Sequence, residues 1–477
     1  MRILFITSEV APFAKTGGLG DVSSALPRAL RALGHDVRVV VPFYQRVRAG
    51  GGSFETVLPA VEGSFGTTRV RFRVLTAPLP QSDAPVLFID CPGLYEREGI
   101  YTQDPDEHLR FAALGWAALK TCQYTGWAPD VVHVNDWQAS LVPLMMRTLF
   151  GWDRLFERAR TVLTIHNIGH QGSFPASVVP ELGVSPGDLH QEQLGAGRVN
   201  FLLHGILYAN AITTVSPTYA REIQTPEHGV GLDPFLRARQ GVLFGILNGI
   251  DDDVWNPSKD PLIPFRYSAE DLRGKAGDKA ALMEAMGLPH VPAAPVIGVV
   301  SRLTWQKGFD LCAEVLPPLL ARRPVQLVVL GRGEPRYHGL FASLAARFPR
   351  QVAFRDAFSE ALAHRIEAGA DIFLMPSRYE PCGLNQMYSL AYGTVPVVHR
   401  TGGLADTVTP WDPRRGAGNG FWFERFDAAG LAGALGRALG AWERPAEWRR
   451  IQANGMAEDF SWGPRVRAYE ALYRRLA

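Results

Sequence analysis

Two doubly wound α/β halves are the fold class this sequence predicts, and three observations carry the prediction. The hexapeptide Thr16-Gly17-Gly18-Leu19-Gly20-Asp21 returns far downstream as Thr401-Gly402-Gly403-Leu404-Ala405-Asp406. Each copy follows a β-like run, residues 3–7 and 395–398, and precedes a helix-like one. Strand-like and helix-like segments alternate along both halves. A Gly-Gly pair in a strand-to-helix turn lets backbone N–H groups face an anion, and the helix N-terminus adds partial positive charge. Two such turns in two halves point to one phosphorylated ligand in a cleft between them.

The elements follow in order. Residues 1–8 read as a buried strand, 22–33 as a helix ended by Gly34, and 37–41 as the next strand, a β-α-β opening. Further strands are expected at 85–89, 131–134, 161–165 and 211–215, with helices at 109–123 and 217–223 between them. Asn248-Gly249-Ile250-Asp251 is turn chemistry, and 255–267 is rich in Pro and Asp, so a boundary is expected there. A second alternation places strands at 295–300, 326–330, 352–354, 372–375 and 395–398, with helices at 309–320 and 360–368. The domains are therefore 1–245 and 246–459, the first completed by a C-terminal helix within 460–477 that crosses back onto it. Ligands of open α/β sheets bind beyond the carboxyl ends of the strands.

A chain of 477 residues is long enough for two large domains, and 47% hydrophobic with 20% charged residues is a globular composition. The net charge of +2 gives no field for nucleic acid or an anionic membrane. No run is long enough for a membrane span and no secretory leader is read at the start. Cys91, Cys122, Cys312 and Cys382 are scattered without a C-x-x-C, which argues against a disulfide framework or zinc cage and fits the cytoplasm. Nothing in the sequence sets an oligomeric state.

Candidate chemistry clusters at strand ends. Lys15 directly precedes the first Gly-Gly turn, where an ammonium beside N–H donors can neutralise a phosphate. Arg302 and Lys307 follow the strand at 295–300, and two cations there suit a departing diphosphate; a structural ion pair is the competing role. Glu380 follows the strand at 372–375 and could take sugar hydroxyls or do acid–base work; capping the helix near Leu384 is the competing role. Cys382 reads as a small packing residue. Asp136, Trp137 and Gln138 follow one strand of the first half and His166 follows another, residue types that face sugars. Asp251-Asp252-Asp253 follows an Asn-Gly turn and reads as turn and cap chemistry, so no metal is assigned.

These motifs resemble a known family. Lys15 to Asp21, Ser301 to Gly308, Glu380-Pro381-Cys382-Gly383-Leu384 and Thr401-Gly402-Gly403-Leu404 look like signatures of bacterial glycogen synthases and plant starch synthases. Thr214-Val215-Ser216-Pro217, Asn248-Gly249-Ile250-Asp251 and Asp459-Phe460-Ser461-Trp462 extend the resemblance over nearly the whole chain. It implies a GT-B architecture, two Rossmann-like domains facing an interdomain cleft. It also implies transfer of glucose from ADP-glucose to the non-reducing end of an α-1,4-glucan such as glycogen, with retention and with no cofactor besides the donor. The first domain would take the acceptor and the second the donor.

Carried over residue by residue, the resemblance gives Arg302, Lys307, Glu380, His166 and Asp136 the catalytic roles. Lys15 and the amides of Gly17 and Gly18 would approach the diphosphate, Asp21 would belong to the donor cleft, and the Gly402-Gly403 loop with Thr401 would hold the distal phosphate. Asn248, Tyr379, Cys382, Gly383 and Leu384 would line the donor, with Phe358 stacking on adenine. Tyr95, Trp137 and Gln138 would stand on the acceptor side. Three positions depart from the family: Phe358 replaces a common Tyr, Leu203-His204 falls where relatives often carry Lys, and Gln138 stands where many have His. From residue types alone, UDP-glucose as donor, a sugar-nucleotide epimerase and a glucan-binding protein without activity stay open.

Overall fold

The computed structural model describes residues 1–477. The chain divides into two compact units, Met1–Gly249 with Trp462–Ala477, and Ile250–Ser461. No helix is long and apolar enough to cross a membrane.

The first unit is built on a nine-stranded sheet. Its strands are β1 (Arg2–Ile6), β2 (Asp36–Pro42), β3 (Glu55–Phe65), β4 (Thr68–Pro78), β5 (Pro85–Asp90), β6 (Val131–Asn135) and β7 (Arg160–Ile165). Two short strands, β8 (Ser173–Pro175) and β9 (Arg198–Asn200), pair separately, and β10 (Ala211–Thr214) and β11 (Leu243–Gly245) complete the main sheet. The order is β11-β10-β7-β6-β1-β2-β5-β4-β3, parallel from β11 to β5. Parallel strands covered on both faces read as unbroken apolar runs, which is why β1 and β6 were legible. The hairpin β3–β4 was not expected from the sequence. It adds antiparallel at the edge, and β4 alternates: Val70, Phe72 and Val74 are buried while Arg69, Arg71 and Arg73 are exposed. Two helices begin earlier than the apolar pattern implied, at Gly18 (Gly18–Ala32) and at Glu107 (Glu107–Thr125).

The C-terminal helix Trp462–Leu476 packs into this unit. It buries Val466, Tyr469, Leu472 and Tyr473. The Tyr473 hydroxyl lies 2.6 Å from Nδ1 of His133 in β6, and Nε2 of His133 lies 2.6 Å from Thr164 Oγ1 in β7. Burial, with His166 nearby, pushes the His133 pKa down to about 3, so the ring is neutral and needs both hydroxyls, one as donor and one as acceptor.

The second unit holds six parallel strands: β12 (Val296–Val300), β13 (Gln326–Leu330), β14 (Val352–Arg355), β15 (Ile372–Met375), β16 (Val395–His399) and β17 (Phe421–Phe423). Their order is β14-β13-β12-β15-β16-β17, the 3-2-1-4-5-6 winding of a dinucleotide-binding fold. Alternation sorts the core into two layers. Ile297, Val299, Leu327, Val329, Ile372 and Leu374 pack with helices Phe309–Arg322 and Ala428–Trp442. Val296, Val328, Phe373 and Val398 pack on the other face with Leu282, Met283 and Ile366. The Pro- and Asp-rich stretch docks on this unit: Trp255 stacks between His364 at 3.8 Å and Tyr388 at 3.7 Å, and buried Asp260 accepts from the Tyr392 hydroxyl at 2.5 Å. Asp251 Oδ1 accepts the Asp253 N–H, a turn contact.

Tyr473→Phe leaves one nitrogen of buried His133 without a partner. It should lower unfolding free energy in urea by about 1–3 kcal/mol; an unchanged midpoint and slope would show that the pair does not anchor the helix.

Candidate functional site

In each unit the winding reverses beside its first strand, between β1 and β6 and between β12 and β15. The loops leaving the carboxyl ends of those strands border the crevice where open α/β sheets take ligands. Lys15 is on the loop after β1, and Asp136 follows β6. Arg302 and Lys307 follow β12, Glu380 follows β15, and Thr401 to Gly403 follow β16. The folding pattern therefore sets Lys15, Asp136, Arg302, Lys307 and Glu380 at two switch points, with Thr401 to Gly403 one strand further along.

In the first unit, the Gly-Gly turn is not an open phosphate cradle. The N–H groups of Thr16 and Gly17 donate to Glu9 Oε2 at 2.6 and 3.2 Å. The Thr16 hydroxyl and the Tyr101 phenol donate to Glu9 Oε1 at 2.7 and 2.6 Å. The expectation that the Gly17 amide meets a ligand phosphate is corrected: a carboxylate of the same chain takes it. Gly18 opens the helix Gly18–Ala32, and in its first turn the Gly20 N–H donates to Gly17 O at 3.3 Å. Lys15 Nζ pairs with Asp21 Oδ1 at 2.6 Å, both side chains about a third exposed. Its stem lies against Gly20, where an added Cβ would come within 3.0 Å of Lys15 Cγ.

Asp136 adopts φ +53°, a conformation uncommon outside glycine and frequent at functional sites. Its Oδ1 accepts the N–H of His166 at 2.7 Å and of Asn167 at 3.4 Å. Burial pushes the carboxyl up to about 7, against the pull of those two N–H groups. Oδ1 is held as an acceptor, so Oδ2 is the oxygen free to carry the proton. His166 Nε2 lies 2.9 Å from Asn135 Oδ1, while Asn135 Nδ2 donates to Ile6 O at 3.0 Å. The Asn oxygen must accept, so His166 carries its proton on Nε2, and burial, which drives its pKa to about 3, keeps it neutral. Nδ1 remains an acceptor.

Several acceptor-side expectations fail on burial. Tyr95 is 0% exposed and donates its hydroxyl to Arg110 O at 2.7 Å, so it is a core residue; Tyr101 is the phenol at the strand-end loop. Trp137 belongs to an aromatic cluster with Phe111, Phe174 and Phe201. Gln138 is buried, and so is Asn248, which was expected at the donor; each has a side-chain oxygen with no hydrogen-bond partner. The departure at Leu203-His204 is also core: His204 Nδ1 donates to Asn200 O at 2.6 Å and Nε2 accepts the His190 N–H at 3.1 Å.

In the second unit, three strand-end loops interlock. Lys307 Nζ pairs with Glu380 Oε2 at 2.6 Å, and Ser377 Oγ donates to the same oxygen at 2.9 Å. Glu380 does not cap a helix, because Asn385–Ala391 begins after Leu384. Arg302 is exposed. Gly402 has φ +44°, and a Cβ there would lie 1.9 Å from Glu380 O; a Cβ on Gly403 would lie 2.0 Å from Cys382 O. The Gly403 N–H donates to Glu380 O at 3.0 Å. Gln386 Nε2 reaches Cys382 O, Gly383 O and Thr407 Oγ1, and Thr407 Oγ1 donates to Gly403 O. Tyr379 O accepts from Gln306 Nε2 at 3.3 Å. Arg378, bonded to Asp310, lies over Trp305 and Phe426 and braces the loop. Phe358, on the segment after β14, is 87% exposed and offers an open ring face. All four cysteines are buried thiols, Cys382 among them.

Sequence reasoning missed Glu9, Tyr101, Ser377 and Gln386. Glu9 and Ser377 each lie within three residues of a strand's carboxyl end, a positional signal that was available.

Asp136 gives a pH signature. Its folded-state pKa of about 7 exceeds the ordinary 3.8, so the folded chain binds the extra proton between those values, and this group's contribution to stability falls as pH rises. Asp136→Asn removes the titration. The difference in unfolding free energy between wild type and variant should therefore move in the variant's favour from about pH 4 to about pH 7. A pH-independent difference in urea denaturation would contradict the shift.

Comparison with known proteins places the chain. The sequence pattern of the family described as "Starch synthase catalytic domain" matches residues 2–238, and that described as "Glycosyl transferases group 1" matches residues 288–454. A glycogen synthase of Anaeromyxobacter dehalogenans is 47% identical over 483 residues, covering 100% of this chain and 99% of its own. A glycogen synthase of Myxococcus xanthus is 47% identical over 489 residues, with 100% and 99% covered. Among solved structures, the catalytic domain of starch synthase IV from Arabidopsis thaliana, bound to ADP and acarbose, matches with a TM-score of 0.91 at 34% identity, covering 100% of this chain and 99% of that one. A sucrose-phosphate synthase from Thermosynechococcus elongatus, at 19% identity and TM-score 0.60, shares the fold. The chain belongs to the starch and glycogen synthase family of glycosyltransferases.

Proposed function

We propose that this chain transfers glucose from ADP-glucose to the non-reducing end of an α-1,4-glucan, with retention at the anomeric carbon, and so lengthens glycogen. The observation that carries the reading is the Lys307–Glu380 pair, set against the Gly402-Gly403 turn at the carboxyl ends of β12, β15 and β16. The full-length glycogen synthase relatives and the starch synthase bound to ADP and acarbose support the substrate class.

The geometry within each unit supports the following roles. Exposed Arg302 and the Lys307 ammonium take the diphosphate and stabilise its leaving charge. Glu380 Oε2 is held by Lys307 and Ser377, which leaves Oε1 for a glucose hydroxyl. Phe358 stacks on the adenine. Lys15 acts on the donor, and the first unit takes the glucan; neutral His166 and Asp136 hydrogen-bond sugar hydroxyls there. A double displacement needs a carboxylate free to attack the anomeric carbon. Glu380 is committed to an ion pair, so we favour front-side substitution, in which the departing diphosphate takes the acceptor's proton. The leaving charge is met by side chains, so the reading includes no cofactor besides the donor. Four buried cysteines outside any disulfide suit a reducing compartment, and we place the reaction in the cytoplasm.

The direct test is nucleotide release with glycogen present. ADP-glucose should give ADP together with glucose incorporated into glycogen, and UDP-glucose should be slower. Equal rates would reject the donor assignment, and no incorporation from either donor would reject the reaction.

Lys307→Ala and Glu380→Gln should each lower kcat by about 10²–10³-fold, and the double variant should be little worse than the weaker single one, because the pair acts as a unit. Losses that multiply would show that the two side chains act separately. Phe358→Ala should raise KM for ADP-glucose while leaving kcat nearly unchanged; the reverse split would remove it from donor binding.

A further inference from the structure

We propose that Glu9 is the positioning residue for Lys15: its carboxylate fills the anion seat of the first Gly-Gly turn, so that this turn presents the lysine side chain rather than bare amides. The inference rests on the reading that Lys15 acts on the donor.

The seat has the chemistry of a small oxyanion site. Two consecutive backbone N–H groups, those of Thr16 and Gly17, converge on Oε2, and two hydroxyls, those of Thr16 and Tyr101, converge on Oε1. Successive N–H groups aimed at one oxygen form a nest that binds anions. Here the anion is covalently part of the chain, and it is buried, with 3% of its surface exposed. Tyr101 is itself tied to Ser8 Oγ at 2.9 Å, which fixes the far side of the carboxylate. Charge-assisted bonds of this kind are stronger than neutral ones, and four on one carboxylate leave the loop little freedom.

The consequence falls on the neighbouring residue. Lys15 immediately precedes Thr16, whose N–H and hydroxyl are both bound to Glu9. Its carbonyl accepts from Arg46 Nη1 at 3.1 Å, its stem rests against Gly20, and its ammonium meets Asp21. Glu9 sets the backbone, Gly20 leaves room for the stem, and Asp21 holds the head until an anionic ligand competes for it. The downstream copy of the hexapeptide has Ala405 where the first has Gly20, and Arg400 in place of Lys15. The extra glycine occurs where there is a lysine to accommodate.

The experiment uses the full chain and four variants: Glu9→Ala, Glu9→Gln, Lys15→Ala and the double variant Glu9→Ala/Lys15→Ala. Glu9→Ala deletes the atoms of acetate, so acetate is the probe. It should lower kcat/KM for ADP-glucose by about tenfold or more in the wild-type background and by less than about twofold in the Lys15→Ala background. Acetate should restore part of that loss, and chloride at the same ionic strength should not. Glu9→Gln can turn its carbonyl to the two N–H groups and its NH₂ to the two hydroxyls, so it should retain the fold and lie between Glu9→Ala and wild type. Amide exchange at residues 16 and 17 should quicken in Glu9→Ala and slow again with acetate, a readout that needs no turnover. Wild-type kinetics in Glu9→Ala, equal losses in both backgrounds, or acetate no better than chloride would each overturn the proposal. If wild type itself releases no ADP, the donor reading fails, while the exchange result still decides whether Glu9 fills the seat.

Discussion

The Lys307–Glu380 ion pair is the contact on which the second unit's site depends. It joins the loop after β12 to the loop after β15, across 73 residues of sequence. A buried carboxylate is stable only if it is paired and hydrogen-bonded, and Glu380 has both Lys307 and Ser377. The backbone then adds a third loop. The Gly402-Gly403 turn lies so close to the carbonyls of Glu380 and Cys382 that no side chain fits, and the Gly403 N–H seals the contact. Gln386 and Thr407 close the arrangement from below. The pair is thus held by loops that cannot shift independently, which is the condition for a preorganised electrostatic site.

The repeated hexapeptide has two different physical meanings. In both copies a Gly-Gly turn stands at the carboxyl end of a parallel strand, and in both an N–H group is already used inside the protein. The first copy gives its amides to a carboxylate, Glu9, and its glycines free the helix start and the Lys15 stem. The second gives an amide to a backbone carbonyl, and its glycines permit close packing of another loop. The two copies stand at different places in the winding: the first follows β1, the first strand of its sheet, and the second follows β16, the fifth strand of its unit. The partners differ because different loops lie alongside.

Most of the fold was legible because parallel strands buried on both faces leave continuous apolar runs, as at 131–134 and 326–330. The hairpin β3–β4 escaped because half of its residues face solvent, so its signal is alternation broken by charges rather than an apolar run. Polar residues at strand ends were legible as a cluster, and the structure joins two of them, Lys307 and Glu380, in an ion pair. Burial was not legible. Tyr95 and Trp137 carry the residue types of a sugar site, yet the helix Glu107–Thr125 and the aromatics Phe174 and Phe201 enclose them. Glu9 escaped for the opposite reason: a carboxylate beside an expected phosphate turn looks repulsive until it is seen to occupy the anion's place.

The two units meet their ligand chemistry with different electrostatics. On the first, burial holds His166 neutral and lifts Asp136 to about 7, so neither presents a full charge under mildly acid conditions. Lys15 is balanced by Asp21 and Glu9 by four donors. Such a surface suits uncharged hydroxyls, which need directed donors and acceptors rather than a field. On the second, Lys307 is balanced by Glu380, and Arg302 stands exposed at a strand end. The net positive charge of that cluster therefore lies at the strand end, on Arg302. Asp136 combines a positive φ of +53° with an Oδ1 held by two N–H groups, which leaves Oδ2 as the oxygen that can take up a proton or accept a hydrogen bond from a hydroxyl.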